Sequence, residues 1–214
     1  MKLYTFWRSS AAYRVRIALN LKGLEYQSCA TRLPANEQQG AEYLALNPQA
    51  LVPTLIDGPT VVGQSLAIIE YLDETHPVPP LLPVEPGARA AVRAMALAIA
   101  CDIHPLNNLR ELNYLKGPLA QPEAAVLGWY RYWIATGLAA LEQLAGRYGG
   151  DGGHLHGRAV TLADVCLVPQ LYNARRYDCD LAPFPQLVRI AAALERLPAF
   201  AAASPERQPD AVRS

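Results

Sequence analysis

The sequence has no surplus of charge of either sign: 19 Lys and Arg balance 19 Asp and Glu across 214 residues, so the formal net charge is zero. Non-specific nucleic-acid binding depends on an excess of cations that neutralise phosphates, and that class of partner is therefore excluded. There is also no uninterrupted apolar run of ~18 residues, the length a membrane-spanning helix requires, so no membrane partner is expected. The N-terminal stretch is broken by Arg8, Arg14 and Arg16, unlike the core of a secretory leader, and the expected location is the cytoplasm. Cysteine is scarce. Cys29, Cys101, Cys166 and Cys179 form no C-x-x-C pair, and buried free thiols are the expected state. His154 and His156 make an H-x-H in a Gly-rich loop with no Cys or third His nearby in sequence, so no metal is expected there. No internal repeat is visible.

Apolar residues make up 51% of the chain, enough for sizeable cores. The stretch from His76 to Gly87 carries five prolines, too many for a helix or a central strand, and reads as a linker. Strand and helix patterns alternate before it, and helical patterns follow. A helix is expected from Ala88 to about Lys116 with a kink at Pro105, a second from Glu123 to about Tyr148, and a third opened by a capping-box pair, Thr161 and Asp164. A fourth spans Leu187 to Leu197. The tail from Pro198, rich in Pro, Ala and charge, should be loosely ordered. Trp129, Tyr130, Tyr132 and Trp133 read as core or interface.

The most informative run is Trp7-Arg8-Ser9-Ser10-Ala11-Ala12-Tyr13-Arg14-Val15-Arg16-Ile17. The preceding Lys2–Phe6 alternates like a strand, and Tyr13, Ile17, Ala18 and Leu21 recur at helical spacing until Gly23 stops the pattern. Ser9 and Ser10 thus fall at a helix start, where unpaired N–H groups and the helix dipole favour an anion such as a thiolate. The same serines could simply cap the helix. In Asn47–Leu55 a turn leads into Val52-Pro53 at the start of a short strand; Pro53 cannot donate to a ladder, leaving Val52 to offer its backbone to an extended ligand. Val61–Leu72 then passes from strand to amphipathic helix with Ser65 in the cap position, a second anion-binding helix start.

Together these segments resemble the glutathione-binding domain of the glutathione transferases, and the Arg-Ser-Ser-x-x-x-Arg-Val-Arg-Ile-Ala run resembles the zeta class, which includes maleylacetoacetate and maleylpyruvate isomerases. The resemblance implies a thioredoxin-like α/β domain over 1–80 followed by an all-helical domain over 87–214, a homodimer, and glutathione as cofactor. It implies a cis Val52-Pro53 bond. It assigns Ser9 to the glutathione sulfur with Ser10 assisting, Val52 to the cysteinyl part, Gln64 and Ser65 to the γ-glutamyl carboxylate, and Gln38 to the glycyl end. One position departs from the class: Ser-Ser-Cys is usual, and Ala11 stands here for the cysteine, so the only thiol at that site is the cofactor's own.

The activity implied is cis–trans isomerisation of a maleyl-type dicarboxylate, by reversible addition of the glutathione thiol. Cations should then line the cleft between the domains. Arg8 precedes the serine pair, Arg110 stands at the flank of a segment that matches a class run bordering that cleft, and Arg176 is the arginine the resemblance directs to substrate, guanidinium groups being suited to gripping carboxylates in two-point fashion. His104 and Asn108, at i and i+4 of one expected helix face, match a class run bordering that cleft. Each arginine could equally be a solvated, dipole-compensating charge. A general glutathione transferase or peroxidase, and a non-catalytic interaction protein that keeps the fold, are the competing readings.

Overall fold

A computed structural model of the chain describes residues 1–149 and 153–212; Gly150–Gly152 of the Gly-rich loop lie outside the described residues. The chain forms two compact units, Met1–Pro80 joined by the stretch from Arg196 onward, and Leu81–Glu195.

The first unit holds a four-stranded sheet in the order β2-β1-β3-β4, formed by β1 (Lys2–Thr5), β2 (Gln27–Ala30), β3 (Thr54–Asp57) and β4 (Thr60–Gly63). β1 runs parallel to β2, with Thr5 opposite Ala30, and antiparallel to β3, with Leu3 opposite Leu55; β3 and β4 are antiparallel, with Thr54 opposite Gly63. A parallel pair needs a crossover. α1 (Ser10–Leu21) supplies it and ends before Gly23, whose φ of +63° suits glycine. Two short helices complete this stretch, α2 (Ala41–Leu46) and α3 (Ser65–Thr75). Leu3 and Leu55 of the sheet, Val15 and Ile17 of α1, and Ile68 and Leu72 of α3 are fully buried and form the core. This is the α/β arrangement expected. The buried face of α1 also carries charge: Arg14 and Arg16 are almost wholly enclosed, and Lys22, just past its end, donates to Asp73 at 2.8 Å, His76 O at 2.7 Å and Pro79 O at 3.0 Å.

The second unit is helical: α4 (Pro86–Leu97), α5 (Leu109–Lys116), α6 (Glu123–Tyr148), α7 (Leu162–Arg176) and α8 (Pro185–Leu194). The continuous helix expected from Ala88 to Lys116 is instead two helices, separated by a π-helical segment, Ala98–Ile103, and a 3₁₀ turn, Pro105–Asn107. Pro105 has no N–H for the ladder, and the chain turns rather than kinks. α8 starts two residues earlier than expected, since Pro185 suits the first helical position, and stops short of Leu197. The tail is a larger correction. Pro198–Ala203 forms α9, packed on α1 with Phe200 and Ala203 buried, so the helical unit ends at Glu195 rather than continuing to 214. The four cysteines are free, but only Cys166 is buried; Cys29 and Cys179 are half-buried and Cys101 is exposed.

The π-helical segment meets α6 at a glycine. A β-carbon on Gly137 would fall inside the envelope of Ile103 Cγ1 and Cδ1, whereas nothing lies within 4 Å of one on Gly128 in the same helix. Gly137→Ala should therefore destabilise by about 1–3 kcal/mol through overpacking against a fully buried branched side chain. Gly128→Ala should stabilise by up to about 1 kcal/mol through helix propensity. Urea midpoints of the two variants beside the parent chain test the pair, and equal effects would contradict the close approach.

Candidate active site

The registers place three chain exits and one entry at one end of the sheet. β1 leaves at Thr5 toward Ser9, β2 leaves at Ala30 beside it toward Gln38, β3 enters at Thr54 from Val52-Pro53, and β4 leaves at Gly63 opposite Thr54 toward Ser65. Every first-unit residue expected to bind glutathione lies on one of these four connections.

Ser9 is the N-cap of α1, in extended conformation, and its Oγ accepts from Ala12 N–H at 3.2 Å. The hydroxyl thus caps the helix, as the plainer reading held, and its own O–H remains a donor for an anion. Ser10 is buried in the first turn. The turn ahead of them is closed by Ser9 N–H donating to Phe6 O at 2.9 Å. Arg8 is half-buried with its guanidinium 4.7 Å from the Trp7 ring centre.

The Val52-Pro53 bond is cis, as the resemblance implied. Val52 is buried, and no hydrogen bond among the described residues engages its backbone N–H or C=O. Its neighbours are pinned by two residues the sequence did not single out. Asn47 Nδ2 donates to Leu51 O at 2.9 Å and Thr54 Oγ1 at 3.1 Å, and the Tyr43 hydroxyl lies 2.6 Å from Leu51 O and 2.9 Å from Thr54 Oγ1. Burial raises the Tyr43 pKa above the ordinary tyrosine value, keeping this phenol neutral. Asn47 was legible only as a turn residue.

At α3 the expected cap is displaced by one residue: Gln64, with φ +66° and ψ 117°, is the N-cap, and Ser65 is the first helical residue. A non-glycine residue in that region is strained, and such strain is retained where the surroundings enforce it. The exposed Gln64 side chain donates to Gln49 Oε1 at 2.9 Å. Ser65 is buried, and its Oγ accepts from Arg14 Nη1 at 3.2 Å, so a buried guanidinium from α1 stands beside the start of α3. Gln38, in a 3₁₀ turn, is also buried, with Oε1 unpartnered among the described residues.

The electrostatics share one sign. Neither α1 nor α3 has an acidic residue in its first turn, so both positive helix ends are uncompensated, and Arg14 adds a full charge beside the second. Each helix end favours an anion by ~0.3–1 kcal/mol. Two anion-binding ends and an open extended backbone segment fit a tripeptide that carries carboxylates and an ionisable thiol.

The remaining expected residues belong to the second unit. His104 and Asn108 do not share a helix face; His104 ends the π-helical segment and Asn108 caps α5, with the 3₁₀ turn between them. That turn is held from α6, where Trp129 Nε1 donates to Leu106 O at 2.7 Å and Asn107 Nδ2 donates to Tyr130 O at 3.0 Å. Arg110 is exposed and paired with Glu111 at 2.5 Å. Arg176 is exposed, its guanidinium 4.9 Å from the Tyr177 ring centre, and Tyr177 in turn stacks on Tyr130 at 3.8 Å. The aromatic cluster of α6 is thus core at Tyr130 and a support for both segments, while Tyr132 is largely exposed. His156 stacks on Tyr148 at 6.1 Å.

Residues 8–75 match the family model for the glutathione S-transferase N-terminal domain. The chain is 53% identical to a probable maleylacetoacetate isomerase of Vibrio cholerae over 98% of its length and 97% of the relative's. A holo structure of a maleylpyruvate isomerase, described as a bacterial zeta-class glutathione transferase, superposes with a TM-score of 0.96 at 46% identity, covering 99% of this chain and 100% of that one. The maleylacetoacetate isomerase of Methylobacterium extorquens AM1, solved with malonate and glutathione bound, also gives a TM-score of 0.96, at 42% identity and complete coverage of both chains.

Ala11 removes the class cysteine from the serine turn, so the four thiols should differ in reactivity without affecting glutathione capture. Thiolate reactivity follows exposure and pKa. Cys101 should be alkylated first and Cys29 next; burial raises the Cys179 pKa and should slow it further, and Cys166 should react only on unfolding. Time-resolved peptide mapping with iodoacetamide gives the order, and retention on immobilised glutathione after labelling gives the consequence.

Proposed function

Since the chain belongs to the zeta class of the glutathione transferases, we propose that it is a glutathione-dependent cis–trans isomerase of a maleyl-type dicarboxylate, converting maleylacetoacetate to fumarylacetoacetate in the breakdown of aromatic compounds. The observation that carries this reading is the convergence, at one sheet end, of two uncompensated helix starts and an open backbone segment on a chain about half identical to a maleylacetoacetate isomerase along its whole length. Glutathione is the cofactor. Its thiol, when bound, supplies a nucleophile that adds reversibly to the cis double bond conjugated to a ketone, allows rotation and leaves again, so nothing is consumed.

The residues have separable tasks. Ser9 donates its hydroxyl proton in a hydrogen bond to the sulfur, which favours the thiolate over the thiol, and the α1 dipole adds to that preference. Ser10 assists from the first turn. Val52 pairs its backbone with the cysteinyl part, a role supported by its unengaged N–H and C=O. Gln64 and Ser65 hold the γ-glutamyl carboxylate, with Arg14 as the charge behind Ser65. Gln38 takes the glycyl end; His104 and Asn108 contribute further cofactor contacts. Arg8, Arg110 and Arg176 take the carboxylates of the substrate, and the protein works as a homodimer in the cytoplasm. Among the described residues, no helix is long and apolar enough to cross a membrane.

Similarity to a maleylpyruvate isomerase supports a second substrate of the same chemistry, differing mainly at one end. The ratio of kcat/KM for maleylacetoacetate and maleylpyruvate decides which is preferred. Ser9→Ala should lower turnover on either by ~10²-fold, a typical cost of losing one preorganised donor to a reacting anion, while Ser10→Ala costs less. Equal small effects would refute the division of roles.

Arg176→Ala should cost about 2–3 kcal/mol in kcat/KM for the diacid, the range for a hydrogen-bonded charged group left without its partner. Lysine there should rescue only in part, because it lacks the planar fork. The rate with chlorodinitrobenzene, an uncharged electrophile, should stay near the parent value. A parallel fall for both would mark the arginine as structural and favour a general transferase.

A further inference from the structure

The peptide joining Phe6 to Trp7 is gripped on both sides. Its carbonyl, Phe6 O, accepts from Ser9 N–H at 2.9 Å and from Arg16 Nη1 at 3.4 Å, and its N–H, that of Trp7, donates to Asp210 Oδ2 at 2.9 Å. Trp7 O accepts from Arg16 Nη2 at 2.9 Å, and Arg16 Nε donates to Ala203 O at 3.1 Å. The C-terminal stretch that carries Asp210 is itself fixed: Asn20 Nδ2 donates to Ala199 O at 2.9 Å and Phe200 is fully buried. Asp210 Oδ1 is buried and unpartnered among the described residues, as is Nε of Arg8, the residue after Trp7. An unpaired buried carboxylate oxygen is costly, and an apolar residue would avoid that cost. What the carboxylate does in return is hold one amide of the turn that presents Ser9.

We propose that Asp210 is a positioning residue for the glutathione thiolate. It accepts the Trp7 N–H in a charge-assisted hydrogen bond, stronger than a neutral one, and so fixes the plane of the Phe6–Trp7 peptide. Because the carbonyl of that same peptide receives Ser9 N–H, a rotation of the plane carries Ser9 with it. The tail of the chain thereby sets where the Ser9 hydroxyl stands, and small displacements at such a point are expensive in rate. The inference rests on the reading of Ser9 given under Proposed function.

The test needs no turnover. In the ligand-free protein, amide hydrogen exchange at Trp7 should accelerate by about tenfold in Asp210→Ala. In the glutathione complex, the ultraviolet absorbance of the thiolate, followed against pH, should show the bound thiol ionising about 0.5 pH unit higher in that variant. Asp210→Asn, which keeps a weaker neutral acceptor, should move both readings the same way by less; it also carries the test should the alanine variant not fold. Ser9→Ala should raise the ionisation further, and Asp210→Ala added to it should change nothing more, since the one residue acts through the other. If Ser9→Ala moves the titration and neither Asp210 variant does, or if the Asp210 shift persists in the Ser9→Ala background, the inference about Asp210 is overturned and the role of Ser9 stands. If Ser9→Ala itself leaves the titration unmoved, the underlying reading fails.

Discussion

The buried guanidinium of Arg16 is the contact on which the geometry of the first unit depends. It is fully enclosed and donates to Thr5 Oγ1 at 3.1 Å, Phe6 O at 3.4 Å, Trp7 O at 2.9 Å and Ala203 O at 3.1 Å. Those acceptors are the last residue of β1, the two residues of the turn that follows, and the end of α9. A rigid fork of five donors suits this task better than any other side chain, because it satisfies several carbonyls in one plane. Charge-assisted bonds to buried carbonyls are worth more than neutral ones, and losing the fork would leave those oxygens unsatisfied. The turn that presents Ser9 is therefore held from inside the core, by a cation on the helix it introduces.

With that turn fixed, the strand registers do the rest. A mixed sheet in which β1 and β2 run together and β3 opposes them brings the outgoing ends of β1, β2 and β4 and the incoming end of β3 to one rim. Segments separated by tens of residues in sequence meet there with no further machinery. The same economy explains the strain at Gln64. The chain must leave β4 and start α3 within one residue of Gly63, where a larger side chain would press on Asn47, and the left-handed φ of Gln64 makes that bend.

How legible this was in the sequence differed by residue and for identifiable reasons. The β1–turn–α1 unit was readable because strand alternation, a serine pair and a helical repeat stood side by side, and α6 was readable to the residue because nothing interrupts its pattern. Pro105 was visible, but its effect was underestimated: a π-helical segment ahead of it and a 3₁₀ turn after it depend on the approach of α6 at Gly137, a tertiary fact. The tail reads as loose because a helix of six residues, even an Ala-rich one, is too short to be stable alone; Phe200 and the bond from Asn20 hold it, and both act across most of the chain length. Arg14 and Arg16 were legible as breaks in an apolar stretch and as members of the run that carries the family resemblance, but not as buried charges. Their burial depends on carbonyl and hydroxyl partners that no local pattern reveals. The displaced cap at α3 is a one-residue error of the kind that helix ends commonly produce.

The helix starts of the two units are satisfied by different groups. α4 is capped by Glu85, whose carboxylate accepts Gly87 N–H at 2.8 Å and Ala88 N–H at 2.5 Å, bonds that hold its pKa below the ordinary glutamate value. α7 is capped by Thr161 with Asp164, whose carboxylate accepts Thr161 N–H and Leu155 N–H, each at 2.8 Å, although burial pushes its pKa up against those bonds. In the second unit, then, acidic groups satisfy helix ends as stability alone would favour. In the first unit, α1 and α3 begin with serines and carry no acid in the first turn. An aspartate at Ser9 would cap the helix at least as well, but under the role proposed for Ser9 it would set a negative charge beside the thiolate and would raise the thiol's pKa by like-charge repulsion. A neutral hydroxyl accepts from Ala12 N–H while keeping its own proton to donate. The two helix ends of this fold that face the common rim are the ones left for an external anion to complete.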